Sequence, residues 1–467
     1  MRLIPQPESI EVFSCVSNCS EITCTEKNEC FSPEAYELII EADKITARAA
    51  DEKGLFYASV TLKQIKLLYS QIPCLVIKDK PRYKHRGFMI DCARHMFSVD
   101  QLKKMIDTAS QFKFNKFHWH LSDDQGFRIE LESYPELTEK GSVRKCDSFI
   151  NCKSDKEYSG YYLKSEIREI VSYCKDRFID IIPEFDMPGH QSALLHVFPQ
   201  FTCTGESVEV KTKQGIFRDV ICVGNDDAYK CLEKILNEIS DLFPYDKFHI
   251  GGDEVPKSNW KTCPKCGKIM ADNSFSGVNE LHGYFINKMA AYMKNKGKKC
   301  IVWNDCLKSN ILTDDVMIQH WQKNPAKTAD AANDGQKIIL SPFYGYYVDY
   351  PYAMHPLRVT YKFEPESFSK LDENGKANIE GVESPVWTEY INNTERLEYM
   401  CFPRWFAVAE TGWTAKNNKN YKAFEQACEQ LCSVYRANGF NIADKKEWNP
   451  SAPARLYHTI KFFIPEK

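Results

Sequence analysis

The sequence has no long hydrophobic run and no concentration of positive charge. No apolar stretch approaches the roughly 18 residues that a membrane-spanning helix needs, so we expect no membrane span. The net charge is −3, and lysines and arginines are scattered along the chain, so no nucleic-acid partner is expected. The N-terminal residues Met1–Pro7 contain no signal-peptide hydrophobic region. This leaves two alternatives, a cytosolic protein or a leader that is missing from the sequence.

Low-complexity tracts and internal repeats are also lacking. What is present is an ordinary globular composition, with 43% hydrophobic and 27% charged residues. A chain of 467 residues is long enough for one large α/β barrel and a smaller domain.

Cysteine, by contrast, is abundant, with 19 residues. Crowded cysteines would suit disulfides in an oxidising compartment, which favours a lysosomal or secreted location. The crowded residues are Cys15, Cys19, Cys24 and Cys30 in one segment, and Cys146 and Cys152 in another. Three further cysteines that lie in apolar runs are predicted to be buried free thiols, namely Cys92, Cys222 and Cys300.

A Cys-x-x-Cys pair, Cys263 and Cys266, follows the most informative motif of the chain. Because no second cysteine pair stands at zinc spacing, the sequence favours a local disulfide or free thiols over a metal site. We therefore predict neither a metal nor a cofactor.

After about residue 82, short apolar runs alternate with segments of helical period, which is typical of parallel strands joined by crossover helices. Eight such runs predict a (β/α)8 TIM barrel of the α/β class. The runs are Phe88–Ala93, Lys116–Ser122, Phe178–Phe185, Lys247–Gly252, Cys300–Asn304, Val316–Trp321, Lys337–Phe343 and Gly381–Thr388. We predict a small α+β domain over residues 1–81, the barrel over 82–447, and a C-terminal tail over 448–467 that is broken by Pro450 and Pro453 and packs on the barrel.

The fourth run ends in Gly251-Gly252-Asp253-Glu254. Two adjacent glycines let the backbone turn and approach a ligand closely, and two neighbouring carboxylates resist double ionisation. One of them would then hold a proton near neutral pH and could donate it. An acidic cap on the following helix explains these residues equally well in isolation.

A barrel carries its chemistry at the carboxyl ends of its strands, and this sequence places charged or aromatic residues at all eight. Carboxylates, an arginine and flat aromatic side chains together are typical of a sugar site. Each residue also has a structural explanation: tryptophans pack in cores, Arg94 could pair with an acid, Asp123 could cap a segment, and His118 and His120 are expected to be hydrogen-bonded structural residues. The recurrence at every strand end favours the sugar site.

Four motifs, in this order along the chain, resemble those of a known enzyme family. They are Arg86-Gly-Phe-Met-Ile-Asp-Cys-Ala-Arg-His95, Phe117-His-Trp-His-Leu-Ser-Asp-Asp-Gln-Gly126, Ile182-Pro-Glu-Phe-Asp-Met-Pro-Gly-His190 and His249-Ile-Gly-Gly-Asp-Glu-Val255. They resemble the motif series of glycoside hydrolase family 20, the β-N-acetylhexosaminidases. The similarity extends from the Ile-Pro-Gln-Pro opening to Phe402-Pro-Arg404 and Ala409-Glu410, nearly the whole chain.

The resemblance implies an exo-acting, retaining enzyme that removes terminal GlcNAc or GalNAc, in which the 2-acetamido group of the substrate attacks the anomeric carbon. It implies that Glu254 is the general acid and base, and that Asp253 holds the acetamido N–H and balances the charge of an oxazolinium intermediate. Tyr347 would hold the amide oxygen. The acetamido methyl would lie among Trp303, Trp321 and Trp387.

The same resemblance implies that Arg94, Glu389 and Asp349 bind ring hydroxyls. It implies that Asp123 and His190 tune the protonation of the acid. It also allows for a homodimer, since family members often dimerise.

Departures from the family pattern put details of the site network in doubt. The usual Gln-Gly-Trp ends in Phe127, and the usual Trp-Asp-Glu is Trp303-Asn-Asp305. Tyr347 stands among Tyr344, Tyr346 and Tyr350, which makes its assignment less secure. Two rival hypotheses remain, a carbohydrate-binding protein without catalysis and an enzyme that releases disaccharides. A closed pocket around Arg94 and Glu389 would favour the exo-acting enzyme.

Overall fold

The computed structural model describes residues 1–367 and 370–464. It begins with a five-stranded sheet in the order β1-β5-β3-β4-β2. The strands are β1 (Ser9–Val16), β2 (Cys24–Lys27), β3 (Tyr36–Ile40), β4 (Ile45–Ala49) and β5 (Pro73–Asp79). Helix α1 (Glu52–Leu68) packs on this sheet and begins at Asp51, whose carboxylate accepts the Gly54 N–H at 2.8 Å. The predicted small α+β domain ahead of the barrel is confirmed.

The cysteine pairing differs from the expectation. Cys15 of β1 is bonded to Cys74 of the neighbouring strand β5. Strands β1 and β2 lie at opposite edges of the sheet, so Cys15 and Cys24 are far apart although they are close in sequence. The other crowded cysteines are free thiols, which corrects the prediction for Cys19, Cys24, Cys30, Cys146 and Cys152.

Eight parallel strands close into a barrel, as the alternation of apolar runs predicted. They are β6 (His85–Asp91), β7 (Lys116–His120), β12 (Asp180–Glu184), β13 (Lys247–His249), β14 (Lys299–Trp303), β15 (Met317–His320), β16 (Ile338–Leu340) and β17 (Ile379–Val386). Two short hairpins lie between β7 and β12: β8 (Ser122–Asp123) with β9 (Gly126–Phe127), and β10 (Asp147–Phe149) with β11 (Cys152–Ser154). The TIM barrel is therefore confirmed, and each observed strand overlaps its predicted run.

Helices surround the barrel, and the main hydrophobic core fills the space between them and the strands. Those up to β14 are α2 (Val99–Gln111), α3 (Glu136–Glu139), α4 (Lys164–Lys175), α5 (Ser192–Val197), α6 (Asp226–Ser240), α7 (Ser258–Thr262), α8 (Pro264–Asp272) and α9 (Val278–Asn295). Those after it are α10 (Ala326–Asn333), α11 (Phe343–Tyr346), α12 (Leu357–Lys362), α13 (Glu373–Ala377), α14 (Thr394–Cys401), α15 (Arg404–Trp413), α16 (Tyr421–Ala437), α17 (Lys445–Trp448) and α18 (Ala452–Phe463). Short 3-10 helices cover Pro199–Phe201, Asn304–Ser309, Pro365–Ser367 and Lys416–Asn418. Within the described ranges, none of the helices combines the length and apolar character of a membrane span.

The C-terminal tail is interrupted at Pro450, which lies between α17 and α18, but Pro453 does not break it. Pro453 lies in the first turn of α18, where a missing N–H leaves no hydrogen bond unmade. The helix contacts the barrel loops through Phe462, whose ring lies 4.9 Å from that of Tyr390. The last three residues of the predicted tail, 465–467, lie outside the described residues.

Candidate active site

The turn after β13 is built around a buried carboxylate. Gly251 and Gly252 both have positive φ angles, 67° and 94°. A Cβ on Gly251 would lie 1.6 Å from Asp186 Oδ1, and the same oxygen accepts the Gly252 N–H at 2.9 Å. Only glycine permits this approach, so the two glycines fix the direction in which Asp253 and Glu254 leave the strand.

A cavity of about 250 Å³ opens at this end of the barrel. It is lined by most of the residues that the sequence singled out, namely Arg94, His190, Asp253, Glu254, Trp321, Tyr347, Asp349, Trp387 and Glu389. The other two, Asp123 and Trp303, are 1% and 0% exposed and lie behind its wall.

Charged groups form a continuous chain behind the cavity. Arg94 lies 2.7 Å from Asp123 Oδ2 through its Nη2 atom, and Asp123 Oδ1 lies 3.2 Å from His190 Nδ1. On its other side, His190 Nε2 lies 3.8 Å from both Asp253 Oδ2 and Glu254 Oε2. A cationic His190 is therefore within ion-pair distance of both neighbouring carboxylates.

The protonation of these groups follows from their surroundings. Burial lowers the pKa of His190, but the nearby carboxylates, first of all Asp123, outweigh it and hold that pKa well above its usual value. Burial raises the pKa of Asp253 to about 7 and also raises that of Glu254, and His190 opposes both shifts. Burial raises the pKa of Glu389 to about 7 as well. Asp253 and Glu389 can therefore hold protons near neutral pH, and Glu254 holds its proton to a higher pH than an ordinary glutamate.

Two carboxyl groups of the cavity each have one oxygen that accepts no hydrogen bond from the described residues. Within the described part of the chain, no hydrogen-bond donor reaches Asp253 Oδ1 or Asp349 Oδ1, although both atoms are buried. Buried polar atoms are normally paired, so these two oxygens mark places where a ligand could donate hydrogen bonds.

One wall of the cavity is aromatic. The Tyr347 ring centroid lies 6.2 Å from that of Trp321 and 6.2 Å from that of Trp387. The Trp321 indole donates to Asp305 Oδ2 at 2.8 Å, and its backbone N–H donates to Asn304 Oδ1 at 3.1 Å. The two residues that depart from the family's Trp-Asp-Glu pattern thus fix the orientation of Trp321. The other departure, Phe127, is buried beside Phe185.

The opposite side of the cavity is closed by Arg94. Arg94 is 4% exposed, donates to Gln125 Oε1 at 2.8 Å and to Asp91 Oδ2 at 3.4 Å, and its guanidinium lies 5.0 Å from the Trp387 ring centroid. These contacts fix the guanidinium at the edge of the cavity.

Five lining residues were missed by the sequence analysis, namely Gln214, Gly215, Ile216, Tyr350 and Tyr390. The first three belong to a loop without regular structure, held by the Gln125 side chain, which donates to the Lys213 carbonyl at 2.9 Å. No strand-end rule points to such a loop. Tyr350 and Tyr390 directly follow Asp349 and Glu389, so the aromatic content of those strand ends was the signal that could have found them.

A second polar layer lies below the cavity, inside the barrel. Glu184 is fully buried and lies 2.8 Å from His249 Nδ1 and 3.1 Å from His118 Nε2, and it also contacts His120. Glu383 lies 2.8 Å from His118 Nδ1. The expectation that His118 and His120 are hydrogen-bonded holds for both. Glu184 ends β12, but its side chain belongs to this interior layer and not to the rim.

Some side chains of the site are close enough together to share a cation, including His190 with Asp253 and Glu254. His190 Nδ1 lies 3.2 Å from Asp123 Oδ1 and 3.3 Å from Asp124 Oδ2, so this ring nitrogen already has carboxylate partners. The geometry therefore fits an ion-paired histidine better than a metal ligand.

The comparisons with known proteins agree with this geometry. The model described as glycosyl hydrolase family 20, catalytic domain, matches residues 83–416, and that of family 20, domain 2, matches residues 17–80. A beta-hexosaminidase of Porphyromonas gingivalis is 35% identical over 430 residues, 87% of this chain and 54% of that protein. A beta-hexosaminidase of Akkermansia muciniphila is 31% identical over 444 residues, 91% of this chain and 88% of that protein. The chain thus spans about half the length of the first of these relatives.

Solved structures with the same fold include the crystal structure of a beta-N-acetylhexosaminidase, with a TM-score of 0.88 and 28% identity over 96% of this chain and 98% of that one. Another is a GH20 exo beta-N-acetylglucosaminidase from Vibrio harveyi in complex with N-acetylglucosamine, with a TM-score of 0.85 and 28% identity over 95% of this chain and 78% of that one. Because the catalytic-domain match covers well over half of its length, the chain belongs to glycosyl hydrolase family 20.

Proposed function

We propose that this protein is an exo-acting, retaining β-N-acetylhexosaminidase that removes terminal GlcNAc or GalNAc by substrate-assisted catalysis. The observation that carries the proposal is the adjacent pair Asp253 and Glu254 at a small pocket, one with an unpaired buried oxygen and the other with a raised pKa. The names of the relatives, beta-hexosaminidase and beta-N-acetylhexosaminidase, support the same substrate class.

The first step needs an acid and an internal nucleophile. Glu254, whose pKa burial raises, gives its proton to the glycosidic oxygen as the bond to the anomeric carbon breaks. The acetamido oxygen of the substrate attacks that carbon and forms an oxazolinium ring. Asp253 Oδ1 accepts the acetamido N–H, which turns the amide oxygen towards the anomeric carbon and balances the positive charge of the ring.

The second step reverses the proton transfer. Glu254, now a carboxylate, takes a proton from water, and the oxygen of that water attacks the anomeric carbon and opens the oxazolinium ring. Two inversions at one carbon give net retention. His190, within 3.8 Å of both carboxylates, stabilises Glu254 as an anion at this stage.

The aromatic wall holds the acetamido group. Trp321, Trp387 and Tyr347 surround the space next to Asp253, and an apolar lining excludes water that would compete with the acetamido oxygen. The Tyr347 hydroxyl donates to the acetamido oxygen in this scheme. Trp303 lies behind this wall and packs against Trp387, with the two ring centroids 5.9 Å apart.

The exo mode follows from the closed side of the pocket. Arg94 and Glu389 offer a donor and an acceptor to hydroxyls at the non-reducing end of the sugar, and Asp349 Oδ1 accepts from another. The ion pairs of Arg94 leave no space behind it for a second sugar unit.

The test compares 4-nitrophenyl β-GlcNAc with the 2-hydroxy glucoside for the wild type, Asp253→Ala and Asp253→Asn. We expect the wild type to cleave only the acetamido sugar, and both variants to lose about 10²–10³-fold in kcat, the size seen when one group that stabilises developing charge is removed. Proton NMR of the first product should show the β anomer.

Three results would contradict the proposal. Equal cleavage of both sugars would remove the acetamido group from the mechanism, and an α-anomeric first product would exclude retention. Binding of GlcNAc by a folded wild type without any cleavage would favour a carbohydrate-binding protein.

A further inference from the structure

Four cysteines from separate parts of the chain meet beside the loops that follow β12 and β13. The Sγ atoms of Cys203 and Cys266 are 3.8 Å apart, and Cys222 Sγ lies 3.7 Å from Cys263 Sγ and 3.7 Å from Cys266 Sγ. All four sulfurs lie within 4.8 Å of one another, and three of the four residues are buried. It is the one all-cysteine group of this kind in the described part of the chain.

We propose that Cys203, Cys222, Cys263 and Cys266 bind one zinc ion. Zinc binds thiolates tetrahedrally with Zn–S bonds of about 2.3 Å, which places the sulfurs about 3.8 Å apart. The three closest sulfur–sulfur distances match that edge length. Four protein ligands leave no open position for water or substrate, so the ion is structural and takes no part in glycoside hydrolysis.

Disulfides fit this arrangement poorly. The two sulfurs of a disulfide lie about 2.0 Å apart. Cys15 and Cys74 form such a bond elsewhere in the chain. Here Cys222 is equally close to two partners, and Cys266 is nearly as close to a third. The four sulfurs form one group within 4.8 Å, whereas two disulfides would divide them into pairs.

The backbone around the group is adapted to it. Cys263 is the residue before α8 and Cys266 lies in its first turn, so both thiols face the same side. Gly224 packs against this turn so closely that a Cβ would lie 2.4 Å from the Lys265 carbonyl carbon.

The sequence analysis rejected a metal because it searched for a second close pair. Cys203 and Cys222 are single cysteines, 19 positions apart in the irregular segment between the short helix Pro199–Phe201 and α6. Cys203 follows the short helix Pro199–Phe201, and the Cys222 N–H donates to the Phe201 carbonyl at 2.8 Å. The prediction that Cys222 is a buried residue is confirmed, but its thiol has three thiol neighbours.

The ion would join the two loops that carry the acid and its histidine. Cys263 and Cys266 end the loop that starts with Glu254, and Cys222 ends the one that starts with His190 and contains Ile216. A direct contact already links them, since the Trp260 indole donates to the Ile221 carbonyl at 3.0 Å. Within the loop after β12, the Ile221 N–H donates to the Pro188 carbonyl at 3.0 Å. Zinc would fix this junction against loop motion.

The first measurement is the metal content of the full chain, purified in reductant without chelators or metal-affinity resin. We expect about one zinc per chain by mass spectrometry of the elements. Replacing zinc with cobalt(II) should give the thiolate charge-transfer band in the near ultraviolet and the visible bands of a tetrahedral site. The cobalt spectrum also separates sulfur ligation from adventitious metal on the histidines and carboxylates of the barrel.

The matched variants are Cys203→Ser and Cys24→Ser, since both residues are partly exposed free cysteines. Zinc retained after dialysis should fall about tenfold or more in Cys203→Ser and stay unchanged in Cys24→Ser, with a lower Tm only in the former. Equal zinc in both variants would overturn the assignment. So would iron in place of zinc, or a metal-free wild type whose intact mass shows the loss of four hydrogens to two further disulfides. If Cys203→Ser fails to fold, the cobalt spectrum of the wild type still decides.

Discussion

Two layers of buried carboxylates lie one above the other in this barrel, and they behave in opposite ways. In the interior layer, Glu184 and Glu383 are surrounded by histidines. Burial favours their protonation, but those histidines outweigh it and hold the pKa of both carboxyls far below the usual value. In the cavity above, burial acts on Asp253, Glu254 and Glu389 with less compensation, and their pKa values rise.

The difference shows that the hydrogen-bond and ion-pair partners of a buried carboxyl group determine the direction of its pKa shift. The interior acids have protein partners on both oxygens, and Glu383 and Glu184 in turn raise the pKa of His118 to about 9 despite its burial. Asp253 in the cavity lacks a partner on Oδ1, and in the proposed function the substrate supplies it. Burial alone therefore does not mark a catalytic carboxylate, whereas burial with an unfilled hydrogen-bonding site does.

The largest expected effect is a loss of activity when a carboxyl group of the cavity layer is replaced. Glu254→Gln should lower kcat for 4-nitrophenyl β-GlcNAc by about 10²–10⁴-fold, since the amide cannot donate a proton, while the Tm stays the same or rises. A 2,4-dinitrophenyl glycoside, whose leaving group needs no proton, should keep most of its rate in the first step. Equal losses on both substrates would argue against Glu254 as the acid.

Glu184→Ala tests the interior layer. It should destabilise the protein by about 3–5 kcal/mol, because it leaves buried histidines around an empty position. Denaturant unfolding measures the change. The control is Glu169→Ala, which removes a half-exposed ion pair with Lys103 and should leave stability unchanged within error. A small effect of Glu184→Ala would mean that the interior histidines are neutral and not held by the carboxylate.

The pH dependence of stability should differ in sign between the layers. The folded-state pKa of Asp253, about 7, lies above its usual value of 3.8, so its contribution to stability is complete below about pH 4 and is lost as the pH rises to about 7. The pKa of Glu184 lies below its usual value of 4.5, so its contribution is present above that pH and is lost as the pH falls below it.

The free energy of unfolding of the wild type should decline between about pH 4 and about pH 7, and Asp253→Asn should flatten that decline. Each pKa unit between the folded and unfolded states contributes about 1.4 kcal/mol to it. Glu184→Gln should flatten the loss on the acid side instead. Tm measured from pH 3 to pH 8, at steps of about one pH unit, checks both expectations. The same profile change in both variants would remove the contrast between the layers.

The smallest effect concerns Asp305, a rim carboxylate that does have protein partners. Asp305→Asn weakens its hydrogen bond from Trp321 and should raise KM by about two- to tenfold, the equivalent of about 0.5–1.5 kcal/mol, with little change in kcat. Steady-state kinetics separates the two constants. A fall in kcat without a change in KM would place Asp305 closer to the reacting atoms.

The barrel was predictable because its strands are short apolar runs bounded by polar segments, and the end of each run located most of the cavity. Glu184 shows where this reasoning stops. A strand-end position does not tell whether a side chain points into the barrel or onto its rim, and Glu184 points inward. Nor does sequence spacing reveal groups that form only when distant loops meet, such as the loop of Gln214 or the thiol neighbours of Cys222.

The backbone at His190 and Glu254 has a consequence for redesign. Both residues have left-handed φ angles, 51° and 48°, a conformation in which glycine or asparagine costs less than histidine or glutamate. A method that selects residues for stability alone would replace both. The two positions therefore need to be held fixed when the fold is reused, because at these places the chain gives up stability for the side chains that face each other.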